Sequence, residues 1–179
     1  MQTFSSPHRP MGWFGLALMA ALLALTLYDG TDLAHLAFAS GVALFSAVIA
    51  VVYVRPGLRL HADHLLVRNA VSDVTIPWSV IEAITVRHVM EIDVGEKVVP
   101  ALAFGRSVRQ QRQYAATPSK LGEMDYTDHV VDKVRDAVRQ HARVPATTDE
   151  RGAVSCWRWA DIAVLAVLTM LTAALIVLA

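Results

Sequence analysis

Three stretches of this chain, residues 11–28, 33–54 and 162–179, contain no Asp, Glu, Lys or Arg. A helix rises about 1.5 Å per residue, so such stretches reach about 27 to 33 Å. The hydrocarbon core of a bilayer is about 30 Å thick. Each stretch is therefore expected to be a membrane-spanning helix, the alternative being a helix buried in a protein core. Composition agrees: 55% of residues are hydrophobic and only 18% charged, against about 25% charged in an average soluble domain. The formal net charge is zero. These values exclude a disordered chain and a nucleic-acid binder driven by bulk positive charge. The single cysteine, Cys156, excludes an intrachain disulfide scaffold.

The first stretch differs from a cleaved signal sequence. Leu27-Tyr28-Asp29-Gly30 lacks small residues at cleavage spacing, and a second apolar stretch follows at once. A retained helical hairpin is expected, turning at Asp29-Gly30-Thr31-Asp32. Its flanks are asymmetric. Arg9 precedes the first helix, Arg55 and Arg59 follow the second, and Arg151 and Arg158 precede the third, while the hairpin turn has no Lys or Arg. The positive-inside rule then places the N-terminus and the middle of the chain in the cytoplasm and the C-terminus outside, in a multi-pass inner (plasma) membrane protein. Trp13, Tyr28, Trp157 and Trp159 lie at span boundaries, where aromatic rings favour the headgroup layer.

Along the second helix, Ala39, Ala43 and Ala47 recur every four residues, with Gly41 nearby. Such a stripe allows close helix approach, either for a partner helix or for this chain's own first or third helix. His35 sits near the end of that helix, where water is within reach.

Nearly all the charge lies between residues 55 and 159, with 15 basic and 13 acidic side chains. Leu58, Leu60 and Ala62 alternate with Arg59 and His61, the period of a half-buried strand. After a turn at Asp63 come Leu65-Leu66-Val67-Arg68, a second turn over residues 69–73, and Val74-Thr75-Ile76, which Pro77 must end or hold at an edge. Residues 84–89 alternate again, and 91–94 and 97–104 flank a hairpin turn at Gly95-Glu96. About six strands in an antiparallel meander are expected. A long polar loop spans 105–126. Thr127 is expected to cap a helix, in which Val130, Val131, Val134, Ala137, Val138 and His141 form one apolar stripe. The predicted fold class is α+β, with three transmembrane helices and an antiparallel sheet capped by a C-terminal amphipathic helix.

The sequence resembles the bacterial pleckstrin-homology-like (PH-like) membrane proteins of actinobacteria named after a low-molecular-weight protein antigen. Arg55-Pro56 directly after a helical hairpin, Leu66-Val67-Arg68-Asn69, and Ile76-Pro77-Trp78 followed by Ile81 and Ile84 carry the resemblance. It covers residues 11–104, and less clearly the helix to 143. The 13 Arg against 3 Lys suit a GC-rich genome. Two features depart from the family pattern: His64 stands where a turn glycine is usual, and this chain adds the long loop and a third apolar helix. The resemblance implies a PH-like fold and a membrane location, and no catalysis. Pro77, Trp78, Ile81 and Ile84 are its core motif, the tryptophan filling the concave face of the sheet.

Reaction chemistry is sparse. There is no glycine-rich phosphate loop, no paired-cysteine metal motif and no nucleophile elbow. His61-Ala62-Asp63-His64 is the most metal-like cluster, yet residues three apart on a strand face opposite ways unless a turn brings them together. Glu91 and Asp93 share a strand face and are expected to be solvated. Cys156 is expected as a buried interfacial thiol. Arg106, Arg109 and Arg112, with Lys120 beyond, form a basic loop, which either meets anionic lipid, at about 1 kcal/mol per charge near the surface, or stays solvated.

The expected organisation is a cytoplasmic tail over 1–10, a transmembrane hairpin over 11–54, a cytoplasmic PH-like domain over 55–144 with its loop at 105–126, a tether over 145–160, and a third transmembrane helix over 161–179. The expected function is a non-enzymatic protein-interaction or scaffold module, an accessory subunit of a membrane or envelope complex. Its partners are the lipid bilayer and other membrane proteins, with no cofactor, metal, nucleic acid or small-molecule substrate. The alternative is an anionic-lipid- or ligand-sensing module working through Arg106, Arg109 and Arg112. A reporter active only outside the cytoplasm is expected to be active when fused after Ala179 and inactive when inserted at residue 115. The opposite pattern would reverse the assigned orientation.

Overall fold

The computed structural model describes residues 2–86, 88–95, 97–105, 126–141 and 152–178. The described residues form two compact units. One combines Met1–Pro7 with Pro56–Cys156, and the other combines His8–Arg55 with Trp157–Ala179.

The second unit is helical. It contains α1 (Arg9–Asp29), α2 (Leu33–Ile49) continued by a π-helical turn (Ala50–Val54), and α4 (Trp159–Leu178). All three are long and apolar enough to cross a membrane. Helix α2 packs against both α1 and α4. Gly12 permits the approach of α1 to the π turn, since a Cβ there would lie 2.8 Å from the Tyr53 Cβ. Outward-facing side chains include Phe14, Phe38, Phe45, Met170 and Val177, all well exposed.

The first unit holds two antiparallel sheets and one helix. Strands β1 (Gln2–Ser5), β2 (Gly57–Leu60), β3 (His64–Arg68), β4 (Ser72–Pro77) and β8 (Val154–Trp157) form a five-stranded sheet in the order β1-β2-β3-β4-β8. Strands β5 (Ala83–Val86), β6 (Met90–Val94) and β7 (Lys97–Ala101) form the second sheet in sequence order. Leu58 and Leu60 are buried as the sequence alternation expects, and alternate residues Leu65, Val67, Val74 and Ile76 of β3 and β4 join them in the core. Gly95 turns the β6–β7 hairpin at φ +72°, a backbone region that glycine enters without steric cost. Helix α3 (Tyr126–His141) lays Val130, Val131 and Val134 onto this core, with Ala137 and Val138 partly covered beside them.

Several expectations are corrected. The tail over 1–10 and the tether over 145–160 contribute strands β1 and β8; four-residue strands are too short for their alternation to stand out in sequence. Ala62 is exposed in the β2–β3 turn, because His61 N–H already bonds His64 C=O at 3.0 Å and closes that turn. Strand β5 ends at Val86, short of residue 89. Strand β7 ends at Ala101, where the chain folds back so that Phe104 C=O accepts from Met90 N–H at 2.6 Å and the Phe104 ring is fully buried. Thr127 lies inside the first turn of α3 and is almost fully buried, so it does not cap the helix from outside.

Among the described residues, polar side chains take up a backbone group at three of the four sheet edges. At the β3–β4 turn, the buried Asn69 donates its amide N–H to Pro100 C=O at 2.8 Å and accepts from Leu102 N–H at 3.0 Å. Its side chain thus stands in for a neighbouring strand along β7 and ties the two sheets together. Arg135 of α3 donates to Ile84 C=O of β5 at 3.0 Å. The Tyr126 hydroxyl donates to Ser5 C=O of β1 at 3.2 Å. Unpaired sheet edges invite pairing with other chains, and such caps suppress it. Replacing Asn69 by Ala would leave Pro100 C=O of β7 and Leu102 N–H just beyond it without this partner. Each buried unsatisfied group costs about 1–3 kcal/mol, so Asn69→Ala should destabilise the full chain by about 3 kcal/mol in denaturant titrations followed by tryptophan fluorescence in detergent.

Candidate functional site

The residues of the Ile-Pro-Trp motif are structural. Pro77 ends β4, and Trp78 opens a single 3-10 turn (Trp78–Val80). The indole is 4% exposed. Its Nε1–H donates to His61 C=O at 3.2 Å, and its ring stacks on His141 of α3 with centroids 5.4 Å apart. Ile81 and Ile84 are buried in the same core. The motif therefore joins the end of one sheet, the start of the other and the helix above them.

The β2–β3 turn brings His61 and His64 together. Their rings stack with centroids 4.4 Å apart and an interplanar angle of 11°. A metal lies in the plane of the imidazole that binds it, so two parallel stacked rings do not converge on one ion. Asp63 Oδ1 lies 2.9 Å from His64 Nδ1. The His64 ring, and after it the backbone, holds the Asp63 carboxyl below its ordinary range. Among the described residues, no group of three His, Cys, Asp or Glu side chains is arranged to hold a metal ion. Glu91 and Asp93 are half-buried and share one face of β6, alternating with the buried Met90 and Ile92.

Two charged clusters occupy opposite ends of α2 in the helical unit. At its start, Asp32 caps the helix, its Oδ1 accepting from His35 N–H at 3.1 Å. The same oxygen meets His35 Nδ1, and Asp29 Oδ2 lies 3.5 Å from His35 Nε2. The His35 ring holds the Asp32 carboxyl below the usual carboxylate range. A shallow cavity of about 640 Å³ opens beside this turn, walled by Tyr28, Phe38 and Leu25 as well as His35 and Asp29. At the far end of α2, Asp161 Oδ2 lies 2.9 Å from Arg55 Nη1 and 3.1 Å from Arg158 Nε. Arg55 and Asp161 are mostly covered, at 11% and 22% side-chain exposure, and Arg158 is at 43%.

The expected helix-packing residues divide. Ala39 is buried, while Ala43 and Ala47 are half-buried on α2. Arg106, Arg109 and Arg112 lie outside the described residues. Cys156 is exposed, not buried as expected; it lies on β8, an edge strand with all four residues exposed. Sequence reasoning missed the Arg55–Asp161–Arg158 cluster, because Asp161 sits one residue before the uncharged stretch that marks α4. It also missed Asn69, taken only as a turn residue.

No family model, no curated protein and no solved structure matches this chain.

Because its folded value is lowered, the Asp63 carboxylate favours the folded state above its ordinary pKa of 3.8, and that contribution is lost as pH falls through the lowered value. The Asp63 carboxyl should therefore titrate below 3.8 by NMR in the intact protein. In His64→Ala the midpoint should rise toward 3.8; an unchanged midpoint would remove His64 as the cause.

Proposed function

We propose that this chain is a non-enzymatic integral membrane protein whose cytoplasmic, PH-like domain is a protein-interaction or scaffold module, an accessory subunit of a membrane or envelope complex. Three helices long and apolar enough to span a membrane support the membrane part of this reading. The arginines flanking the spans support a cytoplasmic middle region. Two antiparallel sheets covered by one amphipathic helix support a PH-like domain.

The observation that carries the interaction role is the condition of the sheet edges. Strands β1, β5 and β7 each have a backbone group taken by a side chain, from Tyr126, Arg135 and Asn69 respectively. Among the described residues, no such side-chain bond falls on β8, which forms the last edge of the five-stranded sheet with every residue exposed. A partner that adds an extended segment to a sheet edge uses main-chain hydrogen bonds for affinity and alternate side chains for specificity. Val154 is half exposed and offers an apolar contact on that strand.

Affinity capture of the full chain in mild detergent tests the proposal when run beside Ser155→Pro. Proline removes a backbone donor from β8. The expected result is a stoichiometric companion retained by the wild-type chain and reduced at least fivefold with Ser155→Pro, with far-UV circular dichroism unchanged. Recovery of the wild-type chain alone under several growth conditions would count against a scaffold role.

A further inference from the structure

The turn between α1 and α2 holds a histidine between two carboxylates. His35, in the first turn of α2, faces one with each ring nitrogen: Nδ1 meets Asp32 Oδ1 at the cap of its own helix, and Nε2 lies 3.5 Å from Oδ2 of Asp29, the last residue of α1. Gly30 leaves room for the ring, since a Cβ there would lie 3.0 Å from its Nδ1 and Cε1. A neutral imidazole carries one N–H and one bare lone pair, whereas the imidazolium donates from both nitrogens. A carboxylate oxygen only accepts. Contact with both carboxylates at once therefore suits the imidazolium, and a neutral ring must turn a lone pair toward one of the two anions.

The two contacts are not equivalent. Asp32 is held in place by α2 itself, because its Oδ1 also accepts from His35 N–H at 3.1 Å. That backbone cap does not depend on the charge of the ring. The Asp29 contact is the one that crosses from one helix to the other, and its carboxylate is the more exposed of the two. A ring that loses its proton keeps Nδ1–H toward Asp32 and presents the Nε2 lone pair to Asp29. The charged groups that face the ring are these two carboxylates. Tyr28 of α1 walls the cavity beside it. Helix α4 also packs on α2, and its one charged side chain, Asp161, belongs to the far end of α2. The His35 side chain is 34% exposed, so its proton exchanges with water at the turn.

We propose that the α1–α2 turn is an acid-fastened tie, in which protonated His35 joins the end of α1 to the start of α2 through Asp29 and Asp32, and loss of the proton frees Asp29 so that the two helix ends part beside the cavity walled by Tyr28 and Phe38. The tie is present at low pH and is lost as pH rises through the titration of the ring. Histidine is the side chain that ordinarily changes charge between about pH 5 and 8. The tie belongs to the hairpin alone. Which compartment's acidity it reads rests on the orientation proposed above, which places this turn outside.

Hydrogen exchange of the backbone amides over residues 29–36 tests it, on the full chain in lipid nanodiscs at about pH 5 and about pH 8, each rate corrected for the intrinsic pH dependence of exchange. In the wild type the corrected exchange is expected to be at least threefold slower at the acid pH. His35→Gln should abolish the difference. Asp29→Asn, at an exposed position that leaves the Asp32 cap intact, should abolish it too, because an amide accepts from the N–H of one ring form and donates to the lone pair of the other. Equal wild-type rates at the two pH values, or a difference that survives in either variant, overturns the tie. The reporter fused after Ala179 separates the two levels: inactivity there overturns the outer compartment as the one sensed, whereas the exchange rates alone decide the tie.

Discussion

The fold depends on a surface the chain cannot cover by itself. None of the 18-residue core of α4 is buried against the rest of the protein, and for α1 and α2 the buried share is 6% and 17%. Fully burying one large apolar side chain is worth about 1.5–3 kcal/mol, so leaving three such helices in water would forfeit many times the net stability of a domain. Lipid removes that penalty. It also explains the helical form, because inside a bilayer each backbone N–H and C=O must be satisfied within its own segment.

The charged unit solves the opposite problem. Its sheets are small and their rims numerous, and exposed rims invite pairing with other chains. Asn69, Arg135 and Tyr126 each take up a backbone group at a rim with a side chain drawn from a distant part of the sequence. These are bonds of specificity as much as of stability. Among the described residues, β8 is the sheet rim without such a side-chain bond.

Most of the sheet core was legible from residues alone. Period-two alternation placed Leu58 and Leu60, the strands read at 65–68 and 74–76 supplied Leu65, Val67 and Ile76, and the 3.6-residue stripe placed Val130, Val131 and Val134. The failures share a physical cause. Strands β1 and β8 are made by non-local pairing of segments four residues long, which carry too little pattern to declare themselves. Asn69 has the local signature of a turn residue, and it does form one, with its N–H bonded to Ser72 C=O at 2.9 Å. Nothing local reports that its amide also reaches β7. Asp161 was hidden by the same hydropathy argument that located α4, since scanning for uncharged residues stops at the charge that matters. Cys156 was misplaced because closeness in sequence to an apolar helix says nothing about which side of an edge strand faces water.

Within the helical unit, α2 is held differently at its ends and along its middle. Apolar helices gain little from meeting one another in lipid, whose tails are as apolar as leucine. Direct packing and polar contacts must supply the specificity instead. Along the middle, small residues set the distance: Ala39 is buried, and a Cβ on Gly41 would only just touch Thr172 Cγ2, at 3.9 Å. Such contacts tolerate sliding, because one alanine resembles the next. The ends do not tolerate it. At the first, His35 lies between Asp29 and Asp32; at the second, Asp161 lies between Arg55 and Arg158. A slip of α2 by one residue would move it about 1.5 Å along its axis and turn its side chains by about 100°, enough to part an ion pair at 2.9 Å. Charge thus fixes the register that the apolar middle leaves open, and it does so at the two levels where water or lipid headgroups make charge tolerable.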